Sequence, residues 1–462
     1  MNFNLFLIEN NEEVSVLRVI RVKEVIDESK LNRFHYQILF WCSFIIVFDG
    51  YDLFSFGAVV PSLMEKWQLT PVQVGAFNTY TVIGMMLGAV GFGILADRIG
   101  RRTASLICIF IYSVFTFFSA FAIGAMDFSA YRFITGIGLG GIMPNLISLM
   151  IEYSPKSRRS SLAPMIFIGM SVGAILASLI GMVLIPLWGW KSVFIFGAIP
   201  LLFLPYIMKA LPESVNFLHE KKQTNQLSDI LNKINSSLKT TKDDRFEIDA
   251  TEESKSISSL FTNKRAFGTI IFWIVYPMVM VMTFGLATWL PKLMLQAGYS
   301  LGSSLSFLIA LHIGAILGTI IGGKLGDKIG LRKVLILYFA LSALGCYCLG
   351  IKSEMIIMYV VLLISGACTF GTQNLLSSFV AQFYPSEIRG TGTGSALAIG
   401  RLGAMAGPIL GGIILSLNVP MQWNFIIFAV PGLIAAIAIW LIRESRINHL
   451  TKLQSTHYPE SK

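Results

Sequence analysis

Residues 93–102 read GILADRIGRR, and residues 323–333 read GKLGDKIGLRK. The second segment repeats the first with a shift of 230 residues, from Gly93 to Gly323. Each segment joins two apolar runs, so we expect each to be a short charged turn between two helices. The matching pairs are Gly93 and Gly323, Leu95 and Leu325, Asp97 and Asp327, Ile99 and Ile329, Gly100 and Gly330, and Arg102 and Arg332.

The same shift aligns landmarks along the rest of the chain without a gap. These are Pro61 with Pro291, Gly84 with Gly314, Gly136 with Gly366, Pro155 with Pro385, Arg159 with Arg389, and Gly173 with Gly403. Two halves in parallel register predict a pseudo-two-fold axis along the membrane normal. Transporters with a site between two rocking halves are built in this way.

The composition is that of a membrane protein. Hydrophobic residues make up 54% of the 462 residues, and charged residues make up only 13%. A soluble domain carries about a quarter charged residues, so the chain has too little charge for the water-facing surface of a soluble enzyme. High hydrophobicity also excludes a disordered chain. The five cysteines lie in apolar runs, so we expect no disulfide framework.

Twelve apolar runs are each long enough to cross about 30 Å of hydrocarbon. Because the runs are continuously apolar rather than alternating, they favour helices over strands. We number them spans 1 to 12. Their predicted bounds are 36–61, 74–96, 103–125, 129–151, 161–186, 190–210, 268–290, 301–323, 333–350, 355–379, 391–416 and 421–442.

The predicted fold is therefore an all-α membrane protein with two pseudo-symmetric six-helix bundles. A polar stretch rich in Lys, Ser, Asn and Asp separates them and is expected to be a linker. The predicted divisions are an N-terminal segment 1–35, a bundle 36–212, the linker 213–266, a second bundle 267–442 and a tail 443–462.

Loop charges predict the orientation. One set of connections contains DRIGRR, SPKSRR, the linker, DKIGLRK and PSEIRG, whereas the other set carries few cations. By the positive-inside rule the first set is cytoplasmic, and so are both termini. The net charge of +10 is thus explained by topology, and we expect no nucleic-acid partner.

The repeated turn segments resemble the signature loop of the major facilitator superfamily, and the resemblance covers about residues 36–442. It implies a loop that latches the cytoplasmic side, although the same charges could serve only to fix topology. We expect Gly93 to allow close helix approach, Gly100 to permit the turn, and Glu152 to pair with Arg158 or Arg159. The expected cytoplasmic gate comprises Gly93, Asp97, Arg98, Gly100, Arg101, Arg102, Glu152, Arg159, Asp327, Arg332 and Arg389.

Span 1 contains FDGYDLFSFGAVVP, residues 48–61. Asp49 lies near the predicted midplane, and Asp52 is one turn away on the same face. A charged acid at this depth is costly by at least about 2.5 kcal/mol, so the pair is a candidate proton site. The alternative is a structural hydrogen-bonded pair. The D-G-x-D segment, with Gly57 and Pro61, resembles the aromatic acid:proton symporter branch of the superfamily.

Two arginines lie inside predicted spans. Arg132 opens span 4 in YRFITGIGLGG and needs a partner, which can be an aspartate of span 1 or a substrate carboxylate. The resemblance implies a role for it in proton coupling, and a structural ion pair is the alternative. Arg401 of span 11 has no charged counterpart in the first half, so we expect it to clamp a carboxylate unless it pairs in a cytoplasmic cavity.

Several polar or aromatic residues are candidates for contacts with the substrate ring. His312 of span 8 can relay protons, bond a phenol hydroxyl or simply pack. Tyr51, Phe54 and Phe370 can stack on a ring. The amides that can hydrogen-bond a ring substituent are Asn78, Asn145, Gln373 and Asn374.

The resemblance implies proton-coupled uptake of a small aromatic carboxylate, such as benzoate or a hydroxybenzoate, by alternating access. We expect a bacterial inner membrane location, a lipid bilayer as environment and a monomer. The segment GAMAGPILGG, residues 403–412, has a form found in superfamily antiporters, so export of an organic acid or drug is one alternative and an aromatic-acid receptor another. No P-loop, catalytic elbow or metal-spaced cluster occurs, so we expect no enzyme, cofactor or metal.

Overall fold

The twelve predicted spans are all helices. A computed structural model describes residues 5–10, 13–235, 238, 240, 244–248, 256–262 and 265–442. The helices of spans 1 to 6 are Arg33–Trp67, Pro71–Ile99, Arg101–Ser119, Ala125–Glu152, Lys156–Trp188, and the pair Lys191–Gly197 and Ile199–Ala210. Those of spans 7 to 12 are Ala266–Gln296, Leu301–Ile329, Leu331–Leu349, Met355–Phe383, Ser386–Ser416 and Met421–Trp440.

Most helices extend beyond the apolar runs, and polar residues cap the added turn at the starts of spans 1 and 2. Asn32 accepts a hydrogen bond from the Phe34 amide at 3.0 Å, which begins span 1 three residues before its predicted start at 36. Thr70 accepts one from the Gln73 amide at 3.4 Å and precedes Pro71, the first residue of span 2. Such caps are polar, so an apolar run alone underestimates the helix length.

The two repeated turns end their helices as predicted. Gly100 and Gly330 close spans 2 and 8 with φ of 92° and 91°, a backbone region that favours glycine. A Cβ at Gly100 would also collide with the Glu213 carboxylate. The predicted role of Gly93 is wrong, because a Cβ placed there or at Gly323 would meet no atom within 4 Å.

The two halves repeat the same packing. Within the first half span 1 packs on span 5 and span 2 on span 4, and in the second half span 7 packs on span 11 and span 8 on span 10. Glycine makes equivalent contacts in both, since Gly84 abuts the Phe133 carbonyl and Gly314 abuts the Leu363 carbonyl. Small residues of this kind allow membrane helices to approach closely.

Several hydrogen bonds and backbone contacts join the two halves toward one end of the molecule. We call the end with the two repeated turns the linker end, and the other the opposite end. Asn78 lies in the third turn of span 2, counted from the opposite end. Its side-chain amide donates to Thr288 Oγ1 at 2.9 Å. Thr79 donates to the Met405 carbonyl at 3.0 Å. Pro71 also touches Gly412 of span 11, so these contacts between the halves lie toward the opposite end.

The linker and the N-terminal segment fold against the linker end of the first half. Helices α1 (Val22–Asp27), α2 (Val215–Glu220) and α3 (Thr224–Ile234) lie here. A 3₁₀ helix (Ile257–Phe261) at the end of the linker packs instead on spans 7 and 11 of the second half. Strand β1 (Leu5–Asn10) pairs antiparallel with β2 (Glu13–Arg21), which pairs in parallel with β3 (Arg245–Glu247). Asn32 donates to the carbonyls of Lys233 and Ile234 at 2.8 and 2.9 Å, so the start of span 1 is tied to α3. The predicted tail 443–462 lies outside the described residues.

Candidate functional site

An ion pair joins two of the predicted charged residues inside the first half. Arg132 of span 4 donates from Nη1 to Asp52 of span 1, at 3.0 Å to Oδ1 and 2.9 Å to Oδ2. Both residues are buried, with 1% and 0% of their surface exposed. Removing either partner would leave an uncompensated buried charge. In this conformation the Arg132 guanidinium is bound to Asp52, so it is not available to bind a substrate carboxylate.

A third residue, Thr116 of span 3, completes this pair and was missed by sequence reasoning. Its hydroxyl donates to Asp52 Oδ1 at 2.6 Å and is fully buried. Asp52 thus accepts hydrogen bonds from spans 3 and 4 while it sits on span 1. A threonine within an apolar run is an ordinary residue, so only the fold could identify this one.

Asp49 is one turn nearer the linker end, and its surroundings are different. It is 1% exposed, and neither carboxyl oxygen has a hydrogen-bond partner among the described residues. Burying a charge without a partner is strongly unfavourable, whereas a neutral carboxyl group is tolerated more easily. Asp49 therefore occupies an environment in which a carboxyl group can carry a proton.

Arg401 lies midway along span 11 and faces the first half. Its Nη1 is 3.8 Å from the Met85 sulfur of span 2, and it interacts electrostatically with Asp49. No ion pair to Arg401 is formed within the part of the chain that the structure describes. A guanidinium without a carboxylate partner at this depth can bind an anion bidentately.

An aromatic cluster spans the two halves near Asp49. The ring of His312 lies 4.8 Å from that of Phe54 in span 1 and 4.8 Å from that of Phe370 in span 10, measured between centroids. His312 is 1% exposed, and its Nδ1 has no hydrogen-bond partner among the described residues. The cluster brings three of the predicted ring contacts together.

Three of the other predicted ring contacts, Tyr51, Asn145 and Asn374, form hydrogen bonds within their own half, whereas Asn78 bonds to Thr288 of the other half. Tyr51 is fully buried and donates to the Val193 carbonyl at 2.8 Å, which turns it toward span 6. Asn145 donates to the Gly141 carbonyl of its own helix at 2.8 Å, and Asn374 to Thr319 Oγ1 at 2.9 Å. Gln373 is half-buried in span 10. The side chains of Tyr51, Asn145 and Asn374 are therefore occupied by these hydrogen bonds in this conformation.

Glu152 pairs with an arginine other than Arg158, which is one of its two predicted partners. Glu152 pairs with Arg101 at 3.4 Å, whereas Arg158 is exposed and the Arg159 side chain lies outside the described residues. The linker supplies its other partners, because Ser214 Oγ and the Asn216 amide each donate to Oε1 at 2.9 Å. The reason is that the linker folds back onto span 4.

A second linker carboxylate binds the repeated turn itself. Glu213 accepts hydrogen bonds from the amides of Arg102 and Ser214, each at 2.9 Å, and its carbonyl accepts one from the Tyr153 hydroxyl. This caps the first turn of span 3, where a negative charge is favourable. We call the residues Arg101, Glu152, Glu213, Ser214 and Asn216 the linker network.

The remaining predicted gate residues lie at the same end. Arg102 donates to the Met208 carbonyl, and Arg332 donates to the Trp440 carbonyl at 2.6 Å, so the two repeated arginines each hold the last span of their half. The side chains of the others are exposed, and these are Asp97, Arg98, Asp327 and Arg389. These four residues therefore do not form a closed gate between the halves in this conformation.

Replacing Glu152 with glutamine is expected to loosen the linker. The change removes the charge that Arg101, Ser214 and Asn216 bind, and each hydrogen bond to a charged group contributes about 1.5–3 kcal/mol. Amide exchange of residues 214–216, measured by mass spectrometry on the purified protein, should accelerate by about tenfold or more. Arg158→Gln is the matched control and should change nothing. Equal loosening by both variants, or by neither, would contradict the linker network.

The chain is similar in sequence to a known protein family and to characterised transporters. The Major Facilitator Superfamily profile matches residues 42–321 and 308–460. The chain is 36% identical to the benzoate transport protein of Acinetobacter baylyi, over 93% of this chain and 94% of that protein. It is 33% identical to the gentisate transporter of Corynebacterium glutamicum, over 86% and 85% of the two chains.

A solved structure shows the same fold. The xylose transporter XylE from E. coli, in a partially occluded inward-open conformation, superposes with a TM-score of 0.70 at 17% identity. The match covers 90% of this chain and 99% of that one. The structure also has twelve helices long and apolar enough to cross a membrane among its described residues. The chain therefore belongs to the Major Facilitator Superfamily, as a multi-pass membrane transporter and not an enzyme.

Proposed function

We propose that the chain takes up a small aromatic carboxylate together with a proton, by alternating access between its two halves. The observation that carries this proposal is the pair of unpartnered charges near the middle of the molecule. Among the described residues, the buried Asp49 carboxyl group has no hydrogen-bond partner, and Arg401 from the other half interacts with it electrostatically but forms no ion pair. One can hold a proton and the other a carboxylate.

The relatives support the substrate class. The proteins named as transporters of benzoate and of gentisate match this chain over most of its length, and both compounds are aromatic carboxylates. Arg401 would bind the carboxylate group. The Phe54, His312 and Phe370 cluster would lie against the ring, since aromatic rings prefer edge-to-face or offset contacts.

The electrostatics give a physical reason for coupling. Arg401 is the charge from the other half that interacts with Asp49. A bound substrate carboxylate would cancel this positive charge and add a negative charge near Asp49, so the carboxylate and a neutral Asp49 would favour each other. By linkage, a proton on Asp49 would strengthen carboxylate binding to the same degree. Substrate and proton would therefore bind together, as symport requires.

The linker end would face the cytoplasm. The cationic connections, the linker and both termini lie on that side of the predicted topology, which follows the positive-inside rule. With the halves in contact toward the opposite end, the conformation would be open inward. We also infer a monomer in a bacterial inner membrane, with the bundles and linker divided as the sequence predicts.

The segment GAMAGPILGG offers little support for export. Its first glycine, Gly403, abuts the Pro277 carbonyl of span 7, and Gly407 abuts the Val281 carbonyl. Its last glycine touches span 2 at Pro71. Close helix packing thus accounts for the segment, and no observation favours a receptor.

Uptake of labelled gentisate into proteoliposomes, with and without an inward proton gradient, tests the proposal. Benzoate is the second substrate, and protein-free vesicles are essential for it because a neutral weak acid crosses lipid unaided. The expected result is protein-dependent accumulation that collapses with a protonophore. Gradient-independent equilibration, or outward pumping, would refute symport, and no movement of either acid would refute the substrate class.

A further inference from the structure

Six buried polar atoms within about one helical turn of Asp52, Arg132 or Thr116 have no hydrogen-bond partner among the described residues. These atoms lie on spans 1, 3 and 4, all within the first half. Each is buried and forms no hydrogen bond among the described residues. They are both carboxyl oxygens of Asp49, the hydroxyls of Tyr112, Ser113 and Thr135, and Nε of Arg132.

The unpartnered atoms follow the path from Asp52 to Asp49. Spans 1 and 3 both run from the linker end to the opposite end, and span 4 runs back. Thr116, which bonds Asp52, is one helical turn beyond Tyr112, just as Asp52 is one turn beyond Asp49. Thr135 is one turn from Arg132 toward the linker end. The three helices therefore form an upper layer around Asp52 and a lower layer around Asp49.

Tyr112 lies close enough to both acids to interact with each of them. Its hydroxyl interacts electrostatically with both Asp49 and Asp52 and neighbours the Ser113 hydroxyl, although the two hydroxyls do not reach hydrogen-bond geometry. The titratable or charged groups facing this path are Asp49, Tyr51 and Asp52 of span 1, Cys108 and Tyr112 of span 3, Arg132 of span 4 and Arg401 of span 11.

So many unpartnered buried groups in one place require an explanation. Most buried polar groups in proteins are hydrogen-bonded to protein or to ordered water. A buried water needs two to four polar partners, and hydroxyls and carboxyl groups provide both donors and acceptors. A chain of such groups can pass a proton, because each oxygen can accept one proton and release another.

We propose that Tyr112, Ser113 and Thr135 hold ordered water in a relay that carries the proton from Asp52 to Asp49, apart from the carboxylate clamp at Arg401. The inference rests on the proposed proton coupling. Asp52 takes up a proton when it separates from Arg132, and it gives that proton to the relay. Asp49 receives a proton from the other end of the relay and becomes neutral. Asp52, again a carboxylate, then pairs with Arg132, so charge and protons balance.

The test separates proton movement from substrate movement. In counterflow, labelled substrate exchanges with unlabelled substrate and no net proton transfer is needed. Tyr112→Phe, Ser113→Ala and Thr135→Val each remove one hydroxyl. We expect Tyr112→Phe to slow gradient-driven uptake by at least about tenfold while counterflow stays within about twofold of the unmodified protein.

The matched control is Ser119→Ala. Ser119 is a buried hydroxyl of the same span that already donates to the Phe115 carbonyl, so both rates should be unchanged. Wild-type gradient-driven uptake in all three relay variants would overturn the relay. An equal loss of both rates in folded protein, judged by thermal unfolding, would also overturn it and indicate a structural role. If Tyr112→Phe does not fold, the same two rates are measured for Ser113→Ala, which is a smaller change in side chain, and these rates test the relay. Absence of gradient-driven uptake in the unmodified protein would instead refute proton coupling itself.

Discussion

Replacing Asp49 with asparagine is expected to reduce gradient-driven accumulation of substrate to the level of protein-free vesicles. Asparagine has nearly the same shape but cannot carry a proton, and the Asp49 carboxyl group has no hydrogen bond to lose among the described residues. The helix should therefore stay in place. Counterflow should persist, because exchange needs no net proton transfer. The measurements are both transport modes in proteoliposomes, with the amount of reconstituted protein determined in parallel.

The control for this change is Asp127→Asn. Asp127 is an exposed acid in the first turn of span 4, so its neutralisation should leave accumulation unaltered. Asp52→Asn should differ from both, because it leaves Arg132 buried without a counter-charge and should lower the unfolding temperature as well. Full accumulation by Asp49→Asn would eliminate Asp49 as the proton site.

Arg401→Gln is expected to weaken substrate binding strongly. Truncating one partner of a buried charge pair typically costs about 2–5 kcal/mol, so the dissociation constant for benzoate should rise by at least about 30-fold. Arg401→Lys should be intermediate, because an ammonium group keeps the charge but cannot bind a carboxylate bidentately. Equilibrium binding of labelled benzoate to the purified protein measures this directly.

Arg389→Gln is the matched control for Arg401→Gln. It removes an arginine from the same helix, but at the exposed linker end, and binding should be unchanged. Unaltered binding by Arg401→Gln would remove the proposed carboxylate clamp. Loss of binding in both variants would point to a general effect of charge on span 11.

The apolar runs and the internal repeat were sufficient to predict the twelve helices and their arrangement in two halves. Length and continuity of an apolar run are local properties, so they can be read directly. The turns at Gly100 and Gly330 were equally readable, because a positive φ restricts the residue type. Helix ends were placed less well, since caps such as Asn32 are polar and lie outside the apolar run.

The site was only partly predictable. Asp49, Asp52, Arg132 and Arg401 stand out because charge inside a span is rare. When a helix is apolar all round, its sequence does not show in which direction a given side chain points. Tyr51 was therefore expected at the substrate, but it donates to the Val193 carbonyl. The partner of Glu152 depends on how the linker folds back, a long-range event that no local pattern encodes.

Residues with ordinary side chains were the hardest to foresee. Thr116 and Tyr112 are four residues apart on span 3, a spacing that places them on one face. The sequence does not show that this face of span 3 lies toward Asp49 and Asp52, and only the fold reveals it.

The most direct test of proton-coupled uptake is to follow labelled gentisate and luminal pH in the same proteoliposomes, starting from equal pH on both sides. We predict that an inward gentisate gradient acidifies the lumen at a rate proportional to gentisate uptake. Both signals should vanish in vesicles containing Asp49→Asn. Gentisate uptake at the normal rate without acidification, or with proton movement in the outward direction, would contradict the account.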